Sequence, residues 1–437
     1  MDGRSGVLLG QPTAALPPIL LPSPLRVPDA PPPASHTLPP HPPPARLPGT
    51  RAAWPKPAER PPLGGLLSAI ASLAGAGDLC FAPMPAHLSE PGTHLTKQAD
   101  ELENCGLLAH AAAAPEGSVE RFALVAAYAF AWYGNGVRRW DKPVNPRLGE
   151  TLDVDAVCGA TGQRVRAVFE AVHQSAAAAE YRHAWAAAGP GWVTAACDNP
   201  VARIAGGGME VADGMRLEVV FDGAADGPYR AQRAALRIAV LSTPPVFTLV
   251  PPFAVEGGGW ALKVDAFGQP GGWGGGPPAE RNRLDAPVLS SLTGAPPPGA
   301  PRIVGTPVLG LDLAWGDGRP PSPLWRPAPL PRGARGGATP FAAGVGHLVP
   351  HLHATLPPTD SRHRPDVAAI AAGEWKRAAA LARAEDARAR AVVRALDAGA
   401  APRPRPAWFV DLGKGEFVRY RYAGGYWEAR DAAAAEE

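Results

Sequence analysis

The period of the hydrophobic positions changes along the chain and predicts helices at both ends with strands between them. The first apolar stripe follows a proline-rich stretch and repeats at three- and four-residue spacing. It consists of Leu66, Leu67, Ile70 and Leu73. Such spacing places the four side chains on one face of a helix. The sequence therefore predicts a short amphipathic helix that ends at Gly75 and Gly77.

Two further helices are predicted before residue 150, over Thr93–Ala112 and Ser118–Tyr133. Ser118 is a favoured N-cap residue, and Glu120 places a negative charge in the first turn. Apolar residues follow along one face of the second helix, so we expect most of it to face the core.

Between about 150 and 320 the hydrophobic period becomes two, which predicts a series of short antiparallel strands. The clearest segments are Arg164–Val172, Gly191–Cys197, Arg216–Phe221 and Trp260–Val264. Turns with Gly and Pro separate them, as in a meander or a barrel. Residues 269–301 and 316–340 are so rich in Gly and Pro that we predict expanded loops there.

The C-terminal region has strong helix propensity from Pro365 to Ala398, which predicts one long helix that closes the domain. Short apolar anchors follow at Trp408-Phe409 and Tyr426-Trp427. Residues 1–62, in contrast, contain proline runs that prevent helix and sheet from propagating. We expect them to form a disordered tail, whose partner the sequence does not identify. The alternative is that the tail is a proline-rich ligand of an SH3 or WW domain.

Composition and charge exclude several classes of protein. A formal net charge of +2 provides no large positive field for nucleic acid. The four cysteines are scattered, without the close pairs of zinc or redox sites. Hydrophobic runs are too short for a transmembrane helix, and no secretory signal is evident. The arginine-containing, acid-poor start leaves an organellar transit peptide open.

Three motifs in chain order resemble the oxysterol-binding protein family. Lys142–Thr151 is similar to its Lys-Pro-Phe-Asn-Pro-Leu-Leu-Gly-Glu-Thr motif, and Thr359–Asp366 resembles Thr-Asp-Ser-Arg-Leu-Arg-Pro-Asp. Tyr426-Trp427-Glu428 matches the terminal Tyr-Trp-Glu. Residues 66–91 are also similar to the lid helix and first strand of short members. The resemblance covers roughly residues 66–430.

The resemblance implies an α+β fold, mainly antiparallel β: an incomplete β-barrel that encloses a lipid tunnel, with an N-terminal lid helix and flanking helices. The lipid-binding domain would span 63–430. Its parts would be 63–150 for the lid and N-terminal helices, 151–320 for the barrel strands, and 341–430 for the C-terminal helical part. Family members bind a sterol or another lipid and, competitively, phosphatidylinositol 4-phosphate. The implied function is lipid transfer between membranes, by a cytoplasmic protein that contacts membrane surfaces transiently.

The resemblance also implies a head-group site, in which two positions of the first motif are retained as Lys142 and Asn145. On the C-terminal helix, the family's Lys, Glu and Arg fall on Ala382, Asp386 and Arg390, and Arg383 could replace the lost Lys. Asp386 and Arg390 could equally form a plain surface pair.

The family's His-His pair is replaced here by Gln174 and Ser175, which removes two phosphate contacts. His173 and His183 lie nearby in the sequence. They are interpreted as surface or core residues rather than as shifted ligands.

Residues of the implied tunnel come from two helices. The stripe of Leu66, Leu67, Ile70 and Leu73 matches the lid, although an ordinary packed helix has the same pattern. Trp132 stands before Tyr133, where several sterol-binding members have a polar residue, and its larger ring would narrow the tunnel.

Enzymes are disfavoured because the sequence has no nucleophile elbow, phosphate-binding loop or dinucleotide-binding glycine pattern. No cofactor is predicted. His347, His351 and His353 are interpreted as loop residues rather than metal ligands. A lipid sensor or interaction scaffold, with the barrel kept but transfer lost, is the alternative that replacement of the His pair favours.

Overall fold

The computed structural model describes most of the chain after the first 37 residues. The described residues are 38, 40–57, 84–139, 141–205, 208–212, 214–239, 246–269, 276–350, 353 and 355–435. The predicted lid helix with Leu66, Leu67, Ile70 and Leu73 lies outside them, as does His351.

Seven α-helices are found in these ranges. They are α1 His94–Ala99, α2 Gly106–Ala113, α3 Val119–Gly136, α4 Pro340–Val345, α5 Pro365–Ala372, α6 Trp375–Asp397 and α7 Tyr426–Ala435. The predicted helix Thr93–Ala112 is in fact α1, a 3-10 turn at Asp100–Asn104, and α2. Ser118 caps α3 as predicted, because its side chain accepts a hydrogen bond from the Arg121 amide at 3.2 Å.

Helix α3 is buried along its whole length, not only on the predicted apolar face. Its side chains form the centre of the main core, together with residues from the inner faces of the surrounding strands. The helix is buried on all sides because strands and loops also cover the faces that the hydrophobic pattern predicted to be exposed to solvent.

The described strands number twenty-one. They are β1 Ser89–Thr93, β2 Lys142–Val144, β3 Thr151–Val157, β4 Arg164–Ser175, β5 Glu180–Gly189, β6 Trp192–Asp198, β7 Val201–Ala205, β8 Gly208–Ala212, β9 Arg216–Phe221, β10 Tyr229–Gln232, β11 Ala235–Ala239, β12 Val246–Val250, β13 Phe253–Gly257, β14 Trp260–Val264, β15 Leu284–Pro287, β16 Leu289–Ser290, β17 Arg302–Thr306, β18 Gly310–Ala314, β19 Ser322–Trp325, β20 Phe409–Asp411 and β21 Tyr420–Tyr422.

Nine of these strands form one antiparallel sheet, in the order β16-β14-β13-β10-β9-β6-β5-β4-β3. Its edge strands β3 and β16 do not pair with each other in the described part of the chain. The predicted incomplete barrel, mainly antiparallel with flanking helices, is thus confirmed. A four-stranded sheet, β12-β11-β8-β7, adds a further wall.

The prediction of loops at 269–301 and 316–340 is wrong in part. Strands β15, β16 and β19 lie within these ranges, and β15 and β19 are the edges of the sheet β15-β17-β18-β19. Pro287 and Pro323 are tolerated because an edge strand does not need every backbone donor.

The predicted single C-terminal helix is also wrong, because the helix is interrupted at Gly373. This residue has a φ of 73°, a left-handed conformation that ends α5 and starts a new direction for α6. Beyond α6, the β20–β21 hairpin and α7 pack with Val168, Val172 and other residues of the barrel strands. They cover the outer face of the barrel.

Part of the proline-rich segment is structured, in contrast to the predicted disordered tail. Arg46 and Val157 exchange backbone hydrogen bonds of 2.8 and 2.9 Å, which place residues 40–57 beside β3. Trp54 is buried among Ala338, Ala342 and Ala343. A proline-rich backbone has few N–H donors, and at Arg46 it pairs with the edge strand β3. The buried Trp54 ring adds an apolar anchor. We call residues 40–57 the strap.

Candidate functional site

Two of the motifs interlock through the buried Arg364. Its guanidinium donates to the Asn145 carbonyl at 2.7 Å and to the Glu150 carboxylate at 3.0 Å. Asp366 accepts a further hydrogen bond at 2.5 Å. Burial alone lowers the pKa of Arg364, but Glu150 and Asp366 raise it above its ordinary value. The loop that carries Lys142 and Asn145 is thereby fixed against the start of α5.

Lys142 and Asn145, the two retained positions of the first motif, lie together. The Lys142 ammonium donates to the Asn145 side-chain oxygen at 2.6 Å. Strand β2 positions Lys142 by parallel pairing with β1. Neither residue is fully buried, so both remain within reach of a ligand.

A first cavity of about 230 Å³ lies between this loop and α6. Its lining combines polar and apolar side chains. They are Asn145, Pro146, Arg147, Gln174, Ala176, Tyr181, Arg364, Glu385, Asp386, Ala389, Arg390, Val393 and Arg394. Four arginines thus face two carboxylates, which makes the cavity suited to an anion.

Asp386 and Arg390 both line this cavity and form an i, i+4 ion pair at 3.9 Å. Burial raises the pKa of the Asp386 carboxyl, while Arg390 and Lys142 oppose that rise. The side chain of Arg390 is 50% exposed, so the pair itself adds little stability. The structure brings Asn145, Asp386 and Arg390 to one cavity, with Lys142 next to it.

A second cavity of about 140 Å³ adjoins the first and shares Asn145 and Tyr181 with it. One side is polar, with His94, Lys97, Gly136, Arg139, Asp141, Lys142 and Pro143. The other side is formed by Pro200, Ala202, Met209, Val211, Leu236, Ile238 and Phe247. This second wall is apolar because it comes from the inner face of the sheet β12-β11-β8-β7 and the turn before it.

The residues that replace the family's His pair are engaged within the protein. The Gln174 amide donates to the Pro146 carbonyl at 2.9 Å. The Ser175 hydroxyl accepts from the Ala178 amide at 3.1 Å. Gln174 lines the first cavity, whereas Ser175 does not. These contacts stabilise the loop after β2 and the turn after β4.

The other candidates for the head-group site do not line either cavity. His173 pairs with Glu180 at 3.2 Å, and His183 is fully buried beside Asp198. Both locations agree with the interpretation as surface and core residues. Arg383 is exposed on α6 and is not in the lining, so nothing in the described contacts makes it a substitute for the lost Lys.

Trp132 and Tyr133 lie in the main hydrophobic core. The Tyr133 hydroxyl donates to the Ala234 carbonyl at 2.9 Å. The Arg233 guanidinium lies 4.9 Å from the centre of the Trp132 ring. Among the described residues, neither side chain lines either of these two cavities, and the tunnel role that the resemblance implies for them stays a prediction.

Several lining residues were not identified from the sequence. Arg147 stands where the family motif has Leu, a departure that could have marked it as a site residue. Tyr181, Arg394 and Lys97 have no motif, and only the folding of β5, α6 and α1 brings them to the cavities.

The histidines at 347 and 353 occupy the predicted loop positions. His347 accepts a hydrogen bond from the Arg51 amide at 3.1 Å, and His353 packs edge-on against His363. No helix in the described ranges is both long and apolar enough to cross a bilayer.

Comparison with known proteins identifies the fold and the family. The sequence model of the family described as oxysterol-binding protein matches residues 66–223 and 316–431, more than half of the chain. Oxysterol-binding protein-related protein 2B from Arabidopsis thaliana is 37% identical over 109 residues, or 25% of this chain and 15% of that protein. Oxysterol-binding protein 2 from Mus musculus is 35% identical over 112 residues, 25% of this chain and 12% of that protein. The matched stretch is thus a small part of each relative.

Solved structures show the same architecture. The Osh3 ORD in complex with PI(4)P from Saccharomyces cerevisiae aligns with a TM-score of 0.70 at 22% identity, over 88% of this chain and 97% of that one. The Osh1 ORD domain in complex with cholesterol aligns with a TM-score of 0.72 at 19% identity, over 88% of this chain and 92% of that one. These likenesses establish the fold, and the family match covers the motifs at the first cavity. The chain belongs to the oxysterol-binding protein family.

Proposed function

We propose that this chain binds one membrane lipid, a sterol or a phospholipid, and transfers it between membranes. Phosphatidylinositol 4-phosphate would be the competing ligand. The observation that carries the proposal is the pair of adjoining cavities, one cationic and one with an apolar wall, joined at Asn145 and Tyr181. The protein would act at cytoplasmic membrane surfaces and perform no covalent chemistry.

The apolar wall supports the binding of a lipid body. Burial of each methylene contributes about 0.8 kcal/mol, so side chains such as Met209, Leu236 and Phe247 favour an aliphatic ligand over water. At about 140 Å³ the cavity is smaller than the ~300 Å³ lower bound for sites that enclose a drug-sized molecule. We therefore expect the walls to move apart when a lipid enters.

The cationic cavity supports recognition of a phosphorylated head group. Lys142, from the adjoining second cavity, offers a point charge, and Arg147, Arg390 and Arg394 in the first cavity offer planar donors to phosphate oxygens. These arginines come from the first motif and from α6. They would supply charge that the replacement of the His pair by Gln174 and Ser175 removes.

The test is extraction of lipids from liposomes by the purified chain and by a Lys142→Ala variant. We expect the variant to extract phosphatidylinositol 4-phosphate about 10- to 100-fold less well, because a hydrogen bond to a charged group contributes about 1.5–3 kcal/mol. Lys263→Ala, at an exposed position on β14, is the matched control and should behave as wild type. Equal extraction by all three proteins would contradict the head-group assignment.

The alternative function is a sensor or scaffold that holds a lipid without transferring it, and the missing His pair favours it. Mass spectrometry of co-purified lipids combined with a liposome transfer assay separates the two. Transfer between donor and acceptor liposomes would support the carrier. A bound lipid that never reaches acceptor liposomes would favour the sensor, and a chain free of lipid in both assays would favour the scaffold.

A further inference from the structure

A buried cluster of two histidines and one aspartate lies beside the second cavity. His94 begins α1, His183 is on β5 and Asp198 ends β6. His183 and Asp198 are direct cross-strand partners, which fixes their separation. Asp198 and His183 have fully buried side chains, and His94 is 19% exposed and lines the second cavity.

The side chains converge on the Asp198 carboxylate. His183 Nδ1 lies 2.8 Å from one carboxylate oxygen, and His94 Nε2 lies 2.9 Å from the other. The three candidate ligand atoms all lie within 4.8 Å of one another. Two imidazole nitrogens and a carboxylate oxygen are a donor set that suits Zn²⁺.

Charge also favours a cation at this position. Within the described residues, both ion-pair partners of Asp198 are histidines. A divalent metal ion bound between these side chains would balance the charge of the buried carboxylate.

Gln98, one turn after His94 on α1, provides a second observation. Its amide nitrogen donates to Asp198 at 2.5 Å, and its buried Oε1 makes no hydrogen bond in the described part of the chain. Rotation of the amide by 180° would place Gln98 Oε1 beside the Asp198 carboxylate. The two oxygens would repel each other unless a cation lay between them, and Gln98 would then be a fourth ligand.

We propose that His94, His183, Asp198 and Gln98 form a binding site for one Zn²⁺ ion, or a similar divalent transition metal, that joins α1 to β5 and β6. Tetrahedral bonds of about 2.0–2.2 Å separate ligand atoms by roughly 3.4 Å, so each imidazole nitrogen would move ~0.5 Å away from the Asp198 carboxylate. Four protein ligands make the site structural rather than catalytic. The ion would fix the polar wall of the second cavity.

The experiment titrates Co²⁺ and Zn²⁺ into the full chain after EDTA treatment, and it is independent of lipid binding. We expect one equivalent of Co²⁺ to give the visible spectrum of tetrahedral coordination, and Zn²⁺ to displace it. Zn²⁺ should also raise the Tm.

His94→Gln should weaken binding by more than about 100-fold, since loss of even an outer partner of a metal ligand costs about 10–100-fold. His94 is partly exposed, so this variant should fold. His173→Gln is the matched control, because His173 is also 19% exposed and lies 3.2 Å from a carboxylate. Saturable binding that is equal in wild type and His94→Gln would overturn the proposal. Absence of saturable binding in wild type would leave a hydrogen-bonded His–Asp–His network instead.

Discussion

At the scale of single residues, Arg364 connects the motifs around the first cavity. The motif Thr359–Asp366 is hydrogen-bonded to the first motif: the Ser361 hydroxyl donates to Glu150 at 2.7 Å, and Thr151 and Thr359 share a 2.8 Å hydrogen bond. Arg364 adds contacts to Asn145, Glu150 and Asp366. The positions of Lys142 and Asn145 therefore depend on a buried charge network behind them.

Arg364→Met removes the charge and keeps most of the side-chain volume. We expect a loss of about 3–5 kcal/mol in the free energy of unfolding, because Glu150 and Asp366 would lose their buried partner. Urea unfolding measures this. Arg390→Met is the control: its half-exposed pair with Asp386 should change the same quantity by less than about 1 kcal/mol. Similar losses in both variants would contradict the central role of Arg364.

Asp100 should make stability depend on pH. Burial raises the pKa of its carboxyl to about 7, although Arg139 opposes the shift. Below about pH 4 the group is protonated in both states and contributes nothing to the pH dependence. Between about pH 4 and pH 7 the unfolded chain ionises first, so the free energy of unfolding falls as pH rises.

An Asp100→Asn variant lacks this titration. We expect the difference in free energy of unfolding, wild type minus variant, to decrease steadily as pH rises from 4 to 7. Urea unfolding at several pH values in that window provides the comparison. Parallel curves for the two proteins would show that Asp100 does not titrate in this range.

At the scale of elements, the break between α5 and α6 lets α6 reach the first cavity. The Gly373 amide donates to the Ile370 carbonyl. Its φ of 73° is a left-handed conformation that is unfavourable for residues with a Cβ atom, and it changes the direction of the chain. After this turn, α6 places Glu385, Asp386, Arg390 and Arg394 in the cavity lining.

Gly373→Ala should lower the free energy of unfolding by about 1–2 kcal/mol, the cost of a left-handed conformation for an alanine. Thermal or urea unfolding detects the change. Gly415→Ala is the control, since Gly415 has no positive φ and an added Cβ there meets no atom within 4 Å. A neutral Gly373→Ala would mean that the α5–α6 junction relaxes without cost.

At the scale of the whole molecule, the strap ties distant elements together. Its backbone pairs with β3 at Arg46, and Arg51 donates to the Ala343 carbonyl on α4 at 3.3 Å. The Arg139 guanidinium, which lines the second cavity, lies 5.3 Å from the centre of the Trp54 ring. The strap therefore packs against Arg139, a residue that lines the second cavity.

Trp54→Ala should release the strap. We expect a loss of about 3 kcal/mol in the free energy of unfolding and faster trypsin cleavage after Arg51, because the ring is the main buried anchor of the segment. Peptide mapping over time measures cleavage. The rate after Lys376, an exposed residue of α6, serves as the internal control. An unchanged rate after Arg51 would show that backbone pairing alone holds the strap.

Local patterns predicted much of the fold, because period two and period 3.6 directly report which side chains face a core. Helix α3 with its Ser118 cap and strands β4, β6, β9 and β14 lie where the pattern placed them. Gly and Pro content misled the prediction at β15 and β19, since edge strands tolerate residues that otherwise signal loops.

The sequence by itself determined the family, through motifs whose residues must occur in fixed order, and it determined the alternation of helices and strands. Through the resemblance it also predicted Lys142, Asn145, Asp386 and Arg390 as head-group residues, which the structure places at the two cavities. Tertiary structure alone decided that Arg147 and Arg394 face the same cavity and that Trp132 packs in the core. It alone brought His94, His183 and Asp198 together. The physical reason is that these contacts join residues far apart in the chain, and their distances depend on strand register and helix packing, which local periodicity does not encode.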